Sequence, residues 1–437
     1  MKIFYLKLCL LLSLTANSQC YVKDISVYTD SNLMIDVDGF LWAWGSNSSG
    51  ELGITGTDIT FNNRIQVGTD NDWKSVQLNN GSTLIIKNNG TLWGCGLNVY
   101  GTLGDGTNTS GSNIHQIGTD TWKEVSINQS RVIGIKTNGT LWNWGVNNTI
   151  PVQVGTSSDW KKAYVGNGFF LALKNNGTLW NWGQLGGGGC DGSNFIAQPI
   201  QVGIDNTWKD IRLSENVNLA IKENGTLWSK GNNYLGNMGV PTITCSNIFV
   251  QVGTDTDWDS FKESELQNGG YAFKINGTLW AWGNNSNGIL GIGNNTAAIY
   301  YPTQVIGSEW RSIKAGNWIS FGIKNDNSLW HVNSSSYQDY LSFQGLFTNM
   351  CSPLSTDQIV SEENSKISVF PNPVNNLLNI SSNTTITKIK IINILGQITK
   401  ELNGNNLSID VSNLDKGFYI IEIISNEKTV TRKFLKR

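Results

Sequence analysis

The chain has 437 residues, with 48 glycines, 18 tryptophans, only 7 prolines and a formal net charge of −2. That length can bury a large core, and such an excess of glycine and tryptophan suits tight turns and aromatic packing, which excludes a disordered chain. Charge is uneven: residues 366–437 carry ten basic and five acidic side chains, which leaves the middle of the chain acidic and a poor partner for phosphate backbones.

Lys2 and Lys7 surround an apolar run from Ile3 to Leu14, followed by Thr15, Ala16, Asn17 and Ser18. Residues 1–18 are expected to be a secretory signal peptide cleaved before Gln19, because the run is too short for a permanent span and small residues precede the cut. Acylation of Cys20 is the weaker reading, since Gln19 is bulky where a lipoprotein needs a small residue. No later stretch is long and apolar enough to span a membrane.

From residue 19 to 350 one pattern recurs seven times: Ile-Lys-x-Asn-Gly-Thr-Leu-Trp-x-Trp-Gly. Copies read Asp38-Gly39-Phe40-Leu41-Trp42, Asn89-Gly90-Thr91-Leu92-Trp93 and Asn138-Gly139-Thr140-Leu141-Trp142, and continue to the degenerate Asp326-Asn327-Ser328-Leu329-Trp330. A marker tryptophan precedes each hairpin: Trp73, Trp122, Trp160, Trp208, Trp258 and Trp310, most often followed by lysine. Trp73 lies 17 residues before Gly90, and Val22 lies the same distance before Gly39, so Val22 stands in for the first marker.

Asn-Gly between β-rich runs predicts type I′ hairpins. A further strand before each marker, such as Gln66-Val67-Gly68, brings the count to four strands per unit. Four-stranded units of about 45 residues predict an all-β fold with a seven-bladed β-propeller; an open solenoid would need polar capping repeats, which the end copies lack. The equivalent tryptophans and Asn-Gly pairs are expected to be core and turn chemistry rather than ligand platforms.

After the Trp-x-Trp-Gly strand come Asn47-Ser48-Ser49-Gly50-Glu51-Leu52-Gly53, Asn98-Val99-Tyr100-Gly101-Thr102-Leu103-Gly104 and Asn285-Ser286-Asn287-Gly288-Ile289-Leu290-Gly291. With Ala315-Gly316 and Val165-Gly166, these segments resemble the regulator of chromosome condensation repeat family. The histidine usual in the latter segment is absent from every copy. The nucleotide-exchange role of the family's founding member does not suit an exported acidic protein, and secreted bacterial relatives are the better analogy.

Residues 351–366 are polar and read as a linker. Beyond them, in residues 367–437, Val369-Phe370-Pro371-Asn372-Pro373, Ile391-Ile392-Asn393-Ile394-Leu395-Gly396-Gln397, Leu414-Asp415-Lys416-Gly417-Phe418-Tyr419 and Lys433-Phe434-Leu435-Lys436-Arg437 closely resemble the C-terminal sorting domain of the type IX secretion system. That resemblance implies a Bacteroidetes-type envelope, handling by the type IX machinery and a secreted or cell-surface location. The alternating apolar runs predict a small β-sandwich on their own.

Six cysteines show no C-x-x-C spacing, and only two histidines are present, so no metal or cofactor site is expected. Cys20 and Cys351 bracket the propeller, and Cys190 and Cys245 sit in long loops of neighbouring copies; each pair is a candidate disulfide. Cys95 replaces a repeat tryptophan and is expected to stay buried and free. No catalytic motif is present.

Binding candidates are turns that differ between blades, seven to nine residues after each marker: Asp30, Asn80, Arg131, Phe169, Glu215 and Trp318. The leading expectation is a secreted or surface protein whose propeller face binds a protein or glycan. The alternative is a polysaccharide-active enzyme using two carboxylates in the central channel.

Overall fold

A computed structural model describes residues 21–333 apart from 57, 147, 185–194, 215–216, 263–264, 267–268 and 317–318, then 344–345. It also describes 368–436 apart from 371–373, 383–384, 394–396, 405–406 and 426–428. The expected signal peptide and linker lie outside the described residues. The chain divides into two compact units, residues 1–353 and 354–437.

The first unit is a seven-bladed β-propeller. Blade 1 pairs Val22–Tyr28, Ser31–Asp36, Leu41–Ser46 and Thr60–Gln66 in sequence order, each antiparallel to the next. Later blades open on Trp73–Asn79, Trp160–Val165, Trp208–Leu213, Trp258–Ser260 and Trp310–Ala315. The strand Gly111–Asn128 serves twice: its first half is the outer strand of blade 2, and from Trp122 it is the inner strand of blade 3. Val22 pairs with Asp36 as Trp73 pairs with Lys87, so Val22 does occupy the marker position.

The apolar core lies between blades. Trp73 and Val76 of blade 2 cluster with Leu33, Ile35 and Leu41 of blade 1, and Trp122 of blade 3 clusters with Leu84 and Ile86 of blade 2. Val22 and Ile25 cluster with Phe321 and Ile323 of blade 7, which closes the ring. Two polar contacts reinforce that seam: Val22 N–H donates to the Asn327 carbonyl at 2.8 Å, and Arg311 Nη2 donates to the Val22 and Lys23 carbonyls at 2.7 and 3.0 Å.

The repeated motif has a mechanical explanation. In blade 5, Trp228 Nε1 donates to Thr226 Oγ1 at 2.8 Å, and Thr226 Oγ1 donates to Asn224 Oδ1 at 2.7 Å. The motif lysine completes the unit: Lys222 Nζ stands 4.7 and 4.5 Å from the rings of Trp208 and Trp228 and pairs with Asp205 at 2.5 Å. The same clamp recurs at Lys87, Lys136, Lys174 and Lys274, and Lys324 makes the ring contacts with Trp310 and Trp330. Blade 1 has Val22 for the tryptophan and Asp36 for the lysine, so both halves of the cation–π contact are replaced together.

The hairpin glycine is required twice over. Gly177 has φ +78°, and its carbonyl accepts from the Trp208 N–H of the next blade at 3.1 Å; a Cβ there would lie 2.1 Å from the Asn206 carbonyl.

The second unit has a three-stranded sheet, Ser368–Phe370, Leu377–Ser381 and Ser408–Asp410, and a four-stranded sheet of Ile398–Asn403, Ile386–Asn393, Gly417–Ser425 and Thr429–Lys436. Leu378, Ile380 and Ile409 of one sheet share a buried cluster with Ile389, Ile391, Ile421 and Phe434 of the other, which makes it a β-sandwich.

Candidate functional site

The innermost strand of each blade is a sheet edge, except in blade 7, where Glu265–Leu266 pairs in parallel with Lys314 and Ala315; backbone N–H groups along such an edge need acceptors from outside the ladder. The preceding blade supplies them. Asp24 Oδ2 accepts from Val76 N at 3.0 Å, Ser26 Oγ from Leu78 N at 2.9 Å, Glu124 Oε1 from Ala163 N at 3.1 Å, and Asp210 Oδ2 from Phe261 N at 2.9 Å.

A second device acts at the start of these strands. In all seven blades the register slips between the marker residue and the residue two positions on. A bulge leaves one residue out of the ladder and re-aims its side chain. The seven bulged residues are Lys23, Lys74, Lys123, Lys161, Lys209, Asp259 and Arg311.

Six of the seven are cations, and most reach to the next blade. Lys23 Nζ donates to the Trp73 carbonyl at 2.7 Å, Lys123 Nζ to the Lys161 carbonyl at 2.8 Å, and Lys161 Nζ to the Lys209 carbonyl at 2.8 Å. Lys209 pairs with Asp259 at 2.9 Å. Lys74 is exposed.

This ring opens on a cavity of about 510 Å³ in the channel, lined by Lys74, Lys123, Lys162, Arg212, Lys262, Arg311 and Lys314, with Asp24 and Glu124 as the acids among the described residues that line it. The Arg212 guanidinium lies 4.6 Å from the Tyr164 ring. Both residues also line a smaller cavity of about 70 Å³ farther along the strands, so they sit where the channel narrows.

Burial, more than mutual repulsion, sets the ionisation of these cations. Burial lowers the Lys23 ammonium below its ordinary value, Asp24 opposes the shift and the neighbouring charge of Lys74 adds to it. Burial likewise lowers Lys262, which adopts a left-handed φ of +47° just after the short inner strand of blade 6. Burial works against Lys162 too, but Tyr164 and its 2.6 Å pair with Asp210 outweigh it and hold the ammonium above its usual value. Burial raises the Glu124 carboxyl, partly offset by Lys123 and the Ala163 N–H.

The turns expected to bind lie at the opposite end of the channel. Asp30, Asn80 and Arg131 follow the inner strands, about 20 Å along from the bulges for a strand of six or seven residues. Asn80 holds a left-handed φ of +47° in its hairpin, and Arg131 is half-buried. Phe169 corrects the expectation: it is 3% exposed and packs with Leu171, Leu213 and Ala220 between blades 4 and 5, so it presents no face to a ligand. Glu215 and Trp318 lie outside the described residues.

Cys95 is free and fully buried, and burial pushes its thiol up to about 12. Cys245 is disulfide-bonded, whereas Cys20, Cys190 and Cys351 lie outside the described residues. The glycine-loop asparagines are structural: Asn47, Asn98 and Asn285 accept from the N–H five residues on, and so does Asn233, a fourth copy of the loop beyond the three recognised from sequence.

With this geometry the class is defined as a closed propeller of repeated blades joined to a separate β-sandwich. Residues 276–323 match the family model of the regulator of chromosome condensation (RCC1) repeat, and residues 368–437 match the secretion system C-terminal sorting domain. Human WBSCR16 is 16% identical with a TM-score of 0.58, covering 68% of this chain and 85% of that one. Yeast RCC1 (Prp20), solved bound to Kap60, is 16% identical with a TM-score of 0.58, covering 69% and 81%. Prp20p from Saccharomyces cerevisiae is 15% identical, with a TM-score of 0.57 over 69% and 83%. At these identities the likeness shows the fold alone. No curated protein matches the chain significantly. The chain therefore carries an RCC1-type propeller followed by a secretion sorting domain.

Proposed function

We propose that the protein is an exported binding module that holds its ligand at the wide, bulge-lined mouth of the propeller channel, while the sorting domain acts in delivery. One observation carries this reading: of the seven equivalent bulged residues, which hold no core position, Lys74, Lys123 and Arg311 line a cavity large enough for a ligand of several rings.

The engagement of the channel carboxylates supports binding over hydrolysis. A glycoside hydrolase needs two carboxyl groups facing a substrate about 5 to 10 Å apart. Asp24 accepts from the Ile25 and Val76 N–H groups through its two oxygens, and Asp210 accepts from Ile211, Phe261 and Lys162. Glu124, the other acid lining the cavity, accepts from the Ala163 N–H, so all three acids act as struts between blades.

The test is a screen of the full chain against glycan arrays and outer-envelope proteins, with product analysis of every glycan hit. A hit recovered chemically intact is the expected result. A hit recovered cleaved overturns the binding reading.

A further inference from the structure

The propeller's channel mouth is cationic although the body of the chain is acidic, and this contrast points to a ligand class. Resting on the binding reading above, we infer that the mouth takes an acidic glycan chain, one carrying sulfate or carboxylate groups at intervals, with Lys74 and Lys123 on the rim and Lys162, Lys262 and Lys314 on the wall.

Three features converge on this assignment. First, the five lysines come from five different blades, and Arg212 on the wall adds a sixth, so the positive charge forms a ring instead of a point. A ring of ammonium groups on flexible stems suits charges spaced along a chain, whereas one compact phosphate is better met by a bidentate guanidinium fork.

Second, the cations are gathered against their own repulsion. Lys23, Lys123 and Lys161 donate to backbone carbonyls of the next blade, which orients them without neutralising them, and Lys74 is exposed, whereas Lys209 pairs with Asp259 and Lys162 with Asp210. Arg311 is in the same state: its Nη2 bonds two carbonyls, and its buried Nε has no hydrogen-bond partner among the described residues.

Third, Lys262 reaches the cavity from a left-handed backbone conformation that a lysine adopts only at a cost of about 1 kcal/mol or more. Blade 6 is also the blade whose bulge carries an acid, Asp259, so Lys262 restores a cation to the one sector of the ring that lacks it.

The dimensions select among polyanions. A cavity of about 510 Å³ admits a short stretch of sugar chain, and it is far too narrow for a nucleic-acid duplex about 20 Å across. An anion extending well beyond the mouth would meet the acidic remainder of the propeller.

The experiment is calorimetric titration of the full chain with four probes: a sulfated hexasaccharide, a hexa-uronate, inorganic tripolyphosphate and an uncharged hexasaccharide. Parent protein is compared with Lys74→Glu, Lys262→Gln and Arg131→Glu, the last at the far end of the channel. Binding of a charged hexasaccharide that weakens with salt, falls about tenfold in Lys74→Glu and is unchanged in Arg131→Glu supports the assignment. Lys74 is exposed, so its variant carries the test even if Lys262→Gln fails to fold. Tighter binding of tripolyphosphate at the same residues overturns the glycan assignment, and equal binding of the uncharged sugar overturns the need for charge; both leave a binding module standing. Loss confined to Arg131→Glu overturns the mouth as the site. Cleavage of a bound hexasaccharide would refute the binding reading and not the ligand class.

Discussion

Lys161 of blade 4 donates to the backbone carbonyl of Lys209 of blade 5 at 2.8 Å, so the ammonium of one bulged lysine is held by a neutral peptide oxygen of the next blade, while Lys209 itself pairs with Asp259 at 2.9 Å. The ring repeats this arrangement at Lys123 and Lys161. Cations gathered on one ring near a surface repel by an amount that salt screens. Raising ionic strength should therefore raise the melting temperature of the propeller. Lys74→Ala should leave stability unchanged or slightly higher, within about 1 kcal/mol. A larger loss in calorimetry would make Lys74 a structural residue.

Two hairpin glycines separate strain from collision. Gly177 and Gly277 have similar φ, +78° and +81°, but a Cβ on Gly277 meets nothing within 4 Å. Gly277→Ala should cost about 1 kcal/mol, from backbone conformation alone. Gly177→Ala adds a backbone clash and should cost well over twice that, or prevent folding. Equal losses in denaturant titrations would show that the neighbouring blade yields.

Asp205 in blade 5 supplies a pH signature. Hydrogen bonds from Lys222 and then Thr207 hold its carboxyl down to about 2, below the value of about 3.9 in an unfolded chain. A depressed carboxylate contributes stability above its unfolded value and loses it as pH falls through the folded one. Stability should drop between about pH 4 and pH 2, and Asp205→Asn should be less stable at neutral pH and flatter across that window. An unaltered pH profile in the variant would remove Asp205 from the account.

The buried hydroxyl of Thr226 links Trp228 to Asn224. Thr226→Val keeps the shape and strands the indole N–H, which should cost about 1 to 3 kcal/mol. A neutral result would mean that the Lys222 clamp alone positions the tryptophan.

The cysteines give a chemical test. We propose that Cys190 is the partner of Cys245, and a non-reducing peptide map should contain that linked peptide. Cys95, with its thiol raised to about 12, should react with thiol reagents only after denaturation. Modification of Cys95 in the native protein would mean that blade 2 opens.

Much of the architecture was legible because a repeat states its own structural demands seven times over. The Asn-Gly hairpins, the marker tryptophans and even the substitution of Val22 were readable from spacing, since turn chemistry and core packing tolerate few residue types. The candidate site was less legible. Variable turns point to Asp30, Asn80 and Arg131, while the lysine that follows Trp73, Trp122, Trp160 and Trp208 reads as part of a repeated marker. What aims that lysine is a β-bulge, and a bulge leaves no local sequence signal beyond the residue it displaces. Phe169 misled for a related reason: its position in a turn-adjacent ring suggested exposure, yet it packs between blades 4 and 5. The overall acidity also concealed a local field, because net charge says nothing of which strands converge on one axis.

Lysine footprinting tests the central claim most directly. The full chain is acetylated with and without the sulfated hexasaccharide, and modification at each lysine is read by mass spectrometry. The account predicts protection at Lys74, Lys123 and Lys262, with Lys136 and Lys174 in the tryptophan clamps unchanged. Protection that spares the three mouth lysines and appears elsewhere on the propeller would contradict it.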